Sequence, residues 1–491
     1  MIQGTGSSVG KSVIVTALCR IFLQDGFKVC PFKAQNMSLN SFVTKDGGEM
    51  GRAQVVQAQA ARIEPHVDMN PILIKPVSDV NAQVIMQGKP VTNMRPKAYY
   101  SNRKKLLKGV VDSFSRIKKT HELIVIEGAG SPAEINLRKN DIVNMHMAHI
   151  ARSPVIVVGD IDKGGVFASL VGTLELLSKR DKKMIKGFII NKFRGDKSLL
   201  EDGLRFLEKK TKRPVLGVVP YFKDIKIPEE DGVALERGKI EAKNRKAINI
   251  AVIKLPHISN FTDFDSLETE PDVKLSYIDE AKNLNNQDVI IIPGTKNTIA
   301  DLAWLKKSGL ERQILSVINS RPQTILIGIC GGYQMLGQTI YDRLKIESAS
   351  QKIKGLGLLP VKTSLESKKM LLQARAIHIS SGLEVNGYQI HHGRTIALSR
   401  LNPMFRIKNK ECFDGAQNND GRIWGTYLHG VFDSYAFRRD FLNRVRMSKG
   451  IRPLAVKNDG CSLENEFNKL ADLVRKNIDM KLLYKILGSK K

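Results

Sequence analysis

The stretch "ILIGICGGYQMLG" (residues 325–337) sets a cysteine among glycines directly after a run of Ile and Leu. The apolar run predicts a buried strand and the segment behind it a helix, with a sharp turn at Cys330. Gly328, Gly331 and Gly332 suit a turn whose backbone takes positive φ and passes close to its neighbours. Such a turn is a nucleophile elbow, with cysteine where a hydrolase would carry serine. A buried thiol in a Gly-rich turn gives the same short pattern, so the rest of the chain has to separate the two.

Upstream of this turn the same alternation recurs. "INIAVIKLP" (248–256) and "DVIIIPGTKN" (288–297) are Val/Ile-rich runs ending in turn residues, and strand-like "GRIWGTYLHGVF" (421–432) follows late. An earlier series comprises "ELIVIEGAG" (122–130), "SPVIVVGDID" (153–162), "IKGFIINKF" (185–193) and "PVLGVVPYF" (214–222), separated by helix-like segments. Short apolar strands alternating with helices predict an α/β chain of two domains, each a mainly parallel sheet flanked by helices. The expected division is a first domain over 1–235, a charged linker "ERGKIEAKNRKA" (236–247), and a second domain over 248–447. A helical tail (448–491) with a clear period in "NEFNKLADLVRKNI" is expected to pack on the second domain.

A length of 491 residues accommodates two such domains. No apolar stretch is long enough to span a bilayer, and no charged-then-apolar leader opens the chain, so no membrane partner is expected. Cys19, Cys30, Cys330, Cys412 and Cys461 are scattered and odd in number, without metal-ligand spacing. That usage points to a reducing cytoplasm. The net charge of +29, from 78 Lys+Arg against 49 Asp+Glu, raises nucleic-acid binding as a class. The basic residues are spread over the whole length with no aromatic interleaving, which describes a solvated surface with some attraction for anions. No nucleic-acid partner is expected.

The chain opens "MIQGTGSSVGKSVIVTALCRIF", and Gly10-Lys11-Ser12 before an apolar helical run is the core of a P-loop. Backbone N–H groups there cradle phosphates, Lys11 reaches the β/γ-phosphates of ATP, and the Ser12 hydroxyl is a ligand for Mg²⁺. The strict spacing asks for glycine at position 5, where this chain has Thr5 followed by Gly6. The strand ahead of it, Met1-Ile2-Gln3, is short, as if clipped. Glu127, at the end of the run "LIVIEG", is the candidate second metal element.

"GTGSSVGKS", "EGAGS" and "INKF" resemble dethiobiotin synthetase and its relatives, which activate a carboxylate with ATP. Longer motifs narrow the resemblance: "PFKAQNMSLNS" (31–41), "EMGRAQVVQAQAA" (49–61), "NPILIKP" (70–76), "GAGSPAEINLRKNDIVNM" (128–145), "GDIDKGGVFASL" (159–170), "NGYQIHHGRT" (386–395) and "GTYLHGVFD" (425–433). With "GICGGYQMLG", these are similar to the cobyric acid synthase family over nearly the whole chain. The resemblance implies a P-loop amide synthetase joined to a class I glutamine amidotransferase domain. It implies MgATP- and glutamine-dependent amidation of carboxylates b, d, e and g of adenosylcobyrinic acid a,c-diamide.

In that reading Cys330 attacks the glutamine amide and His429 moves the protons, with Gly331 N–H and a backbone N–H around Gly294 as the oxyanion hole. Many class I members carry Glu two residues after the histidine; here that position is Val431, a departure that cobalamin-type members share. The partner that orients His429 is left open, and His391 and His392 are assigned structural roles. At the synthetase site the resemblance implies Asn191 for adenine, and Lys33, Gln35 and Asn36 for phosphate or corrinoid carboxylates. Asp141 is the candidate for substrate-side proton or ammonia handling, ahead of Asp160 and Asp162. Two rivals remain at this stage. One is the sister enzyme that amidates carboxylates a and c, whose early motif differs from "KAQNMSLNS". The other is a partition-type P-loop ATPase, whose signature lysine is replaced here by Gly6 and which has no use for Cys330 and His429.

Overall fold

The computed structural model describes residues 1–78, 81–94, 102–222, 224–228, 248–348, 350–408, 410, 412–455 and 463–488. The expected linker 236–247 and Cys461 lie outside the described residues. In chain order the first body includes β1 (Ile2–Gly4), α1 (Lys11–Gln24), β2 (Val29–Phe32), β3 (Gln35–Met37), β4 (Ser41–Val43), β5 (Glu49–Gly51) and α2 (Arg52–Ala60). It continues with β6 (Ile72–Ser78), β7 (Asn81–Met86), β8 (Lys89–Met94), β9 (Leu123–Ile126), β10 (Val155–Asp160), β11 (Ile185–Phe193) and β12 (Val215–Pro220).

The Val/Ile-rich runs form a parallel sheet in the order β1-β10-β11-β12. Every residue of β10 is buried, because helices cover both faces and leave no side for polar residues. Short as it is, β1 pairs in register, Ile2 with Ile156 through Gly4 with Val158. The parallel pair β2-β9 joins the same layer through the bridge Ile2–Glu127. A mixed sheet β3-β6-β7-β8, absent from the sequence reading, stands beside it.

The second body carries β13 (Ile248–Ile253), β14 (Val273–Ile278), β15 (Val289–Ile292) and β16 (Ile325–Ile329), ordered β14-β13-β15-β16. The strand Ile423–Thr426 adds in parallel beside β16, and the short strand Ala416–Gln417 closes that edge antiparallel. A second sheet is built on a long antiparallel hairpin, Val361–His378 with Glu384–Ala397. Both bodies are therefore α/β with mainly parallel central sheets, and each places its loops at the carboxyl ends of the strands, where such folds bind ligands.

The tail meets the second body at its start, where Lys449 Nζ reaches Asp288 Oδ2 at 2.6 Å, but its described helices pack on the first body, not the second as expected. Its helix Leu463–Asn477 buries Phe467, Leu470, Ala471 and Val474 against α1 and β12 of the first. An amphipathic period announces an apolar stripe but not the surface that receives it. Here the receiving surface also supplies charge. Arg20, 1% exposed on α1, donates from both terminal nitrogens to Glu464 at 3.0 Å. Arg475 likewise reaches Asp25 at 2.9 Å. Among the described residues no helix is long and apolar enough to cross a membrane.

Candidate functional site

Cys330 lies one residue beyond β16 and its N–H donates to Thr426 O at 2.8 Å, so the adjacent strand fixes its position. It carries φ 51°, ψ −105° at the start of the short helix Gly331–Leu336. A side chain held there stores about 1–3 kcal/mol of backbone strain, as expected of a nucleophile elbow. The left-handed residue is thus the cysteine, whereas Gly328, Gly331 and Gly332 have ordinary φ. Close approach is what requires glycine: a Cβ on Gly332 would lie 1.9 Å from Ile292 O, and one on Gly328 2.7 Å from the Gly332 backbone.

The strand Ile423–Thr426 delivers His429, 1% exposed, from the loop just past its end. Its Nδ1 is 2.6 Å from Asp263 Oδ2, while Gly430 N–H donates to Asp263 Oδ1 at 3.1 Å. Asp263 is 4% exposed, in the turn Phe261–Phe264 that follows β13. Burial alone would lower the imidazole, but the Asp263 carboxylate and the Cys330 sulfur outweigh it and raise its pKa to about 10. The imidazole is therefore charged at neutral pH, ready to pair with a thiolate. His429 Cε1 sits 3.0 Å from where a Gly294 Cβ would be, and Thr295 N is 3.2 Å from that of Gly331. The two expected oxyanion segments are thus side by side at the dyad.

Asp263 is the functional residue the sequence reading missed, and it fills the place left vacant by Val431. His391 and His392 take other roles: His391 stacks on Tyr427 at 3.7 Å and His392 Nδ1 meets Glu366 O at 3.0 Å. Burial lowers them to about 3 and about 4, leaving both neutral. Asp263→Asn is expected to reduce glutamine hydrolysis by about 10²-fold or more, since an amide neither charges nor orients the ring. The alkaline limb of its pH profile moves down from about 10, because His429 loses a proton earlier without the carboxylate. A rate–pH profile on folded protein measures both effects; an unshifted alkaline limb would count against this role.

The second centre is a cavity of about 1210 Å³ at the carboxyl end of the first sheet. Gly10, Lys11, Ser12, Lys33, Gln35, Asn36, Glu127 and Asp141 all line it, together with Asp160 and Asp162. Gly10 takes φ 94° to start α1, and Lys11 Nζ folds back on Gly6 O at 2.6 Å and Gly130 O at 3.2 Å. Thr5 N–H pairs with Val158 O at 3.0 Å, so the position departing from the strict motif is held by the neighbouring strand. Glu127, 1% exposed, accepts from Ser12 Oγ at 2.9 Å, Lys33 Nζ at 2.8 Å and Gln57 Nε2 at 2.5 Å. Burial would raise its pKa, yet Lys33, Gln57 and Lys11 hold it below the usual carboxylate range. The Ser12 hydroxyl and this ionised carboxylate are adjacent hard oxygen donors, a set that fits Mg²⁺.

Two expected residues carry additional duties. Asn191 does not line the cavity; its Nδ2 donates to Val9 O at 3.0 Å, beneath the P-loop. Asp141 accepts backbone N–H groups from Val143, Asn144 and His146, which fixes the loop entering the helix Met145–Ala151. Gln57, inside a motif already singled out, and Lys192, which bonds Asp160 Oδ2 at 2.8 Å and Ser8 O at 2.7 Å, were not assigned from sequence.

Comparison with known proteins decides between the readings this geometry leaves open. Residues 1–234 match the CobQ/CobB/MinD/ParA nucleotide binding domain family, and residues 249–437 the CobB/CobQ-like glutamine amidotransferase domain family. Along its whole length the chain is 49% identical to the cobyric acid synthase of Clostridium acetobutylicum, covering 99% of this chain and 98% of that one. The chain belongs to the cobyric acid synthase family. The Alkaliphilus metalliredigens member is also 49% identical, over 99% of both chains, and that of Clostridium botulinum 49% over 100% and 99%. Cobyric acid synthases are ATP-dependent amide ligases, and this chain is one, with a nucleotide-binding half and a glutamine amidotransferase half. Neither the sister enzyme nor the partition ATPase is favoured by these relatives.

Proposed function

We propose that this enzyme moves the amide nitrogen of glutamine onto carboxylates b, d, e and g of adenosylcobyrinic acid a,c-diamide, consuming ATP and yielding adenosylcobyric acid. The observation that carries the reading is one chain holding a Cys330–His429–Asp263 constellation and, in its other half, a P-loop opening on a cavity of about 1210 Å³. That volume exceeds what a nucleotide alone needs.

At the first centre the Cys330 thiolate attacks the amide carbon, and the oxyanion is held by Gly331 N–H and a backbone N–H around Gly294. His429 gives its proton to the departing nitrogen, so ammonia leaves and a γ-glutamyl thioester remains. His429 then takes a proton from water as the water attacks; glutamate leaves and the proton returns the dyad to its start. At the second centre a substrate carboxylate oxygen attacks the γ-phosphorus of ATP and ADP departs. Ammonia then attacks the acyl carbon of the acyl phosphate and phosphate departs. Lys11 offsets the charge that develops on the phosphates. Ser12 and Glu127 would hold Mg²⁺, which supplies further neutralisation of the β/γ-phosphates when bound.

Lys33, Gln35 and Asn36 are placed in this proposal at the phosphate or corrinoid carboxylates, and Asp141 beside the acyl carbon. Asn191 supports the loop formed with Thr5 and Gly6 and reads adenine. The functional units are 1–235 and 248–447, and the compartment is the cytoplasm, in keeping with free Cys19, Cys30, Cys330 and Cys412. Mass spectrometry of adenosylcobyrinic acid a,c-diamide incubated with MgATP and glutamine is expected to show successive lighter products. Each step is lighter by the difference between a hydroxyl and an amino group. Activity on cobyrinic acid, with none on its a,c-diamide, would sink the assignment.

A further inference from the structure

The loop after β15 carries a charge that the hydrolytic chemistry does not use. Thr295 Cγ2 and Thr298 Oγ1 of this loop stand 2.7 and 3.3 Å from where a Gly331 Cβ would be, so the loop packs on the residue after Cys330. Between them lies Lys296, only 8% exposed, whose ammonium makes no hydrogen bond and no close ion pair among the described residues. The cations around it are already matched: Lys75 and Lys369 share Glu49, at 3.0 and 2.6 Å. Burial, reinforced by Lys369, brings Lys296 down to about 8, with Glu347 opposing. On the elbow helix itself, Gln334 has a buried Oε1 with no hydrogen-bond partner among the described residues. A buried acceptor left in that state marks space for a ligand.

Glu347 supplies the opposite charge. Its Oε2 accepts from Thr298 N–H at 2.9 Å, at the start of the helix Thr298–Lys307. Burial raises its pKa, and Lys296 is the largest charge acting against that rise. The two groups thus feel each other without forming a close ion pair, and each lacks a full counter-charge where an uncompensated one is costly. An α-amino acid carries a carboxylate and an ammonium on one carbon, so it brings both counter-charges at once. In glutamine that carbon lies three bonds from the amide carbon, on the order of 4 Å. Thr298 holds Glu347 by its N–H and meets Gly331 by its hydroxyl, which keeps this pair of charges close to the thiol.

We propose that Lys296 and Glu347 are the residues that select free glutamine, Lys296 binding its α-carboxylate and Glu347 its α-ammonium. The proposal deepens the function given above and rests on it, since it needs glutamine to be opened at Cys330. Its consequence is specificity. A glutamine residue within a peptide has neither charge, so its amide does not satisfy the pair and is refused.

The test uses the full chain with MgATP and adenosylcobyrinic acid a,c-diamide, and measures the acid released from three amides. These are glutamine, glutaramate, which lacks the α-ammonium, and 4-aminobutanamide, which lacks the α-carboxylate. Wild type is expected to prefer glutamine over each analogue by about 10²-fold or more in kcat/KM. Lys296→Met is expected to raise KM for glutamine about 10-fold or more with kcat little changed, and to leave 4-aminobutanamide unaffected. Glu347→Gln, which keeps an oxygen for Thr298 N–H, is expected to do the same with glutaramate as the unaffected substrate. Ammonium-dependent amidation, measured in parallel, persists in both variants and reports the fold; where Lys296→Met loses it, Lys296→Gln takes its place. Wild type that hydrolyses the analogues as well as glutamine would overturn the proposal. So would variants that keep the wild-type preference while activity falls equally on all three amides, since that marks a purely structural role. Wild type that releases no glutamate from glutamine would overturn the functional reading, and the proposal with it.

Discussion

Cys330→Ala is expected to bring glutamine-dependent amidation down to background, a loss of about 10³-fold or more, while ammonium still supports the reaction. The expectation follows from the division of labour between the two centres. Cys330 has its own backbone strain, its own strand and its own charged partner in His429, and it does not line the synthetase cavity. Removing the sulfur deletes the atom that forms the thioester and leaves the P-loop untouched. Free ammonia at alkaline pH enters the second centre without help from the first, so amidation with ammonium measures that centre alone. The readout is product mass with each nitrogen source at equal ATP. Glutamine-dependent amidation surviving in the variant would mean that another residue opens the amide, and the triad would have to be abandoned.

The parts legible in sequence are those whose chemistry is local. The P-loop and the elbow each need only about a dozen neighbouring residues, and the strand–helix alternation announces buried parallel sheets through unbroken apolar runs such as "VIVV" in β10. Asp263 belongs to another category. It lies 166 residues before His429, and only the pairing of β13, β15, β16 and the strand Ile423–Thr426 brings the two ends together. An aspartate in a loop reads locally as a turn residue. Its one hint is position, directly after the first strand of the second series. The tail illustrates the same limit, because the stripe Phe467, Leu470, Val474 is periodic whichever surface receives it. Likewise the hairpin Val361–His378 and Glu384–Ala397 alternates in burial over 361–365, 374–378 and 388–392, but polar Thr363, His378 and His392 take buried places and 366–373 has no buried residue, so no apolar two-residue period marks it in sequence. At the elbow, the glycines were legible but their reason was not: strain sits on Cys330, and close packing falls on its neighbours.

The complementary expectation is that Lys11→Ala abolishes amidation with glutamine and with ammonium alike, by about 10³-fold or more, while basal glutamine hydrolysis continues. Lys11 is 7% exposed, and its amine bridges Gly6 O of the P-loop and Gly130 O of the loop after β9, where such loops hold phosphates. A γ-phosphate under attack gathers negative charge, and in a buried site a lost cation is poorly replaced by water. Glu127 sharpens the argument. It is held ionised by Lys33, Gln57 and Lys11, so removing Lys11 weakens one of the interactions that keep its pKa low. Alanine at position 11 therefore damages phosphate binding and the hard-oxygen pair Ser12–Glu127 together. The two variants form a cross: Cys330→Ala fails with glutamine only, and Lys11→Ala fails with both nitrogen sources. Mixing them distinguishes the ammonia route. If ammonia travelled only inside a chain, the mixture would amidate no faster than Cys330→Ala alone with glutamine. If it escaped to solvent first, the mixture would recover amidation in proportion to the glutamine hydrolysed by the Lys11 variant.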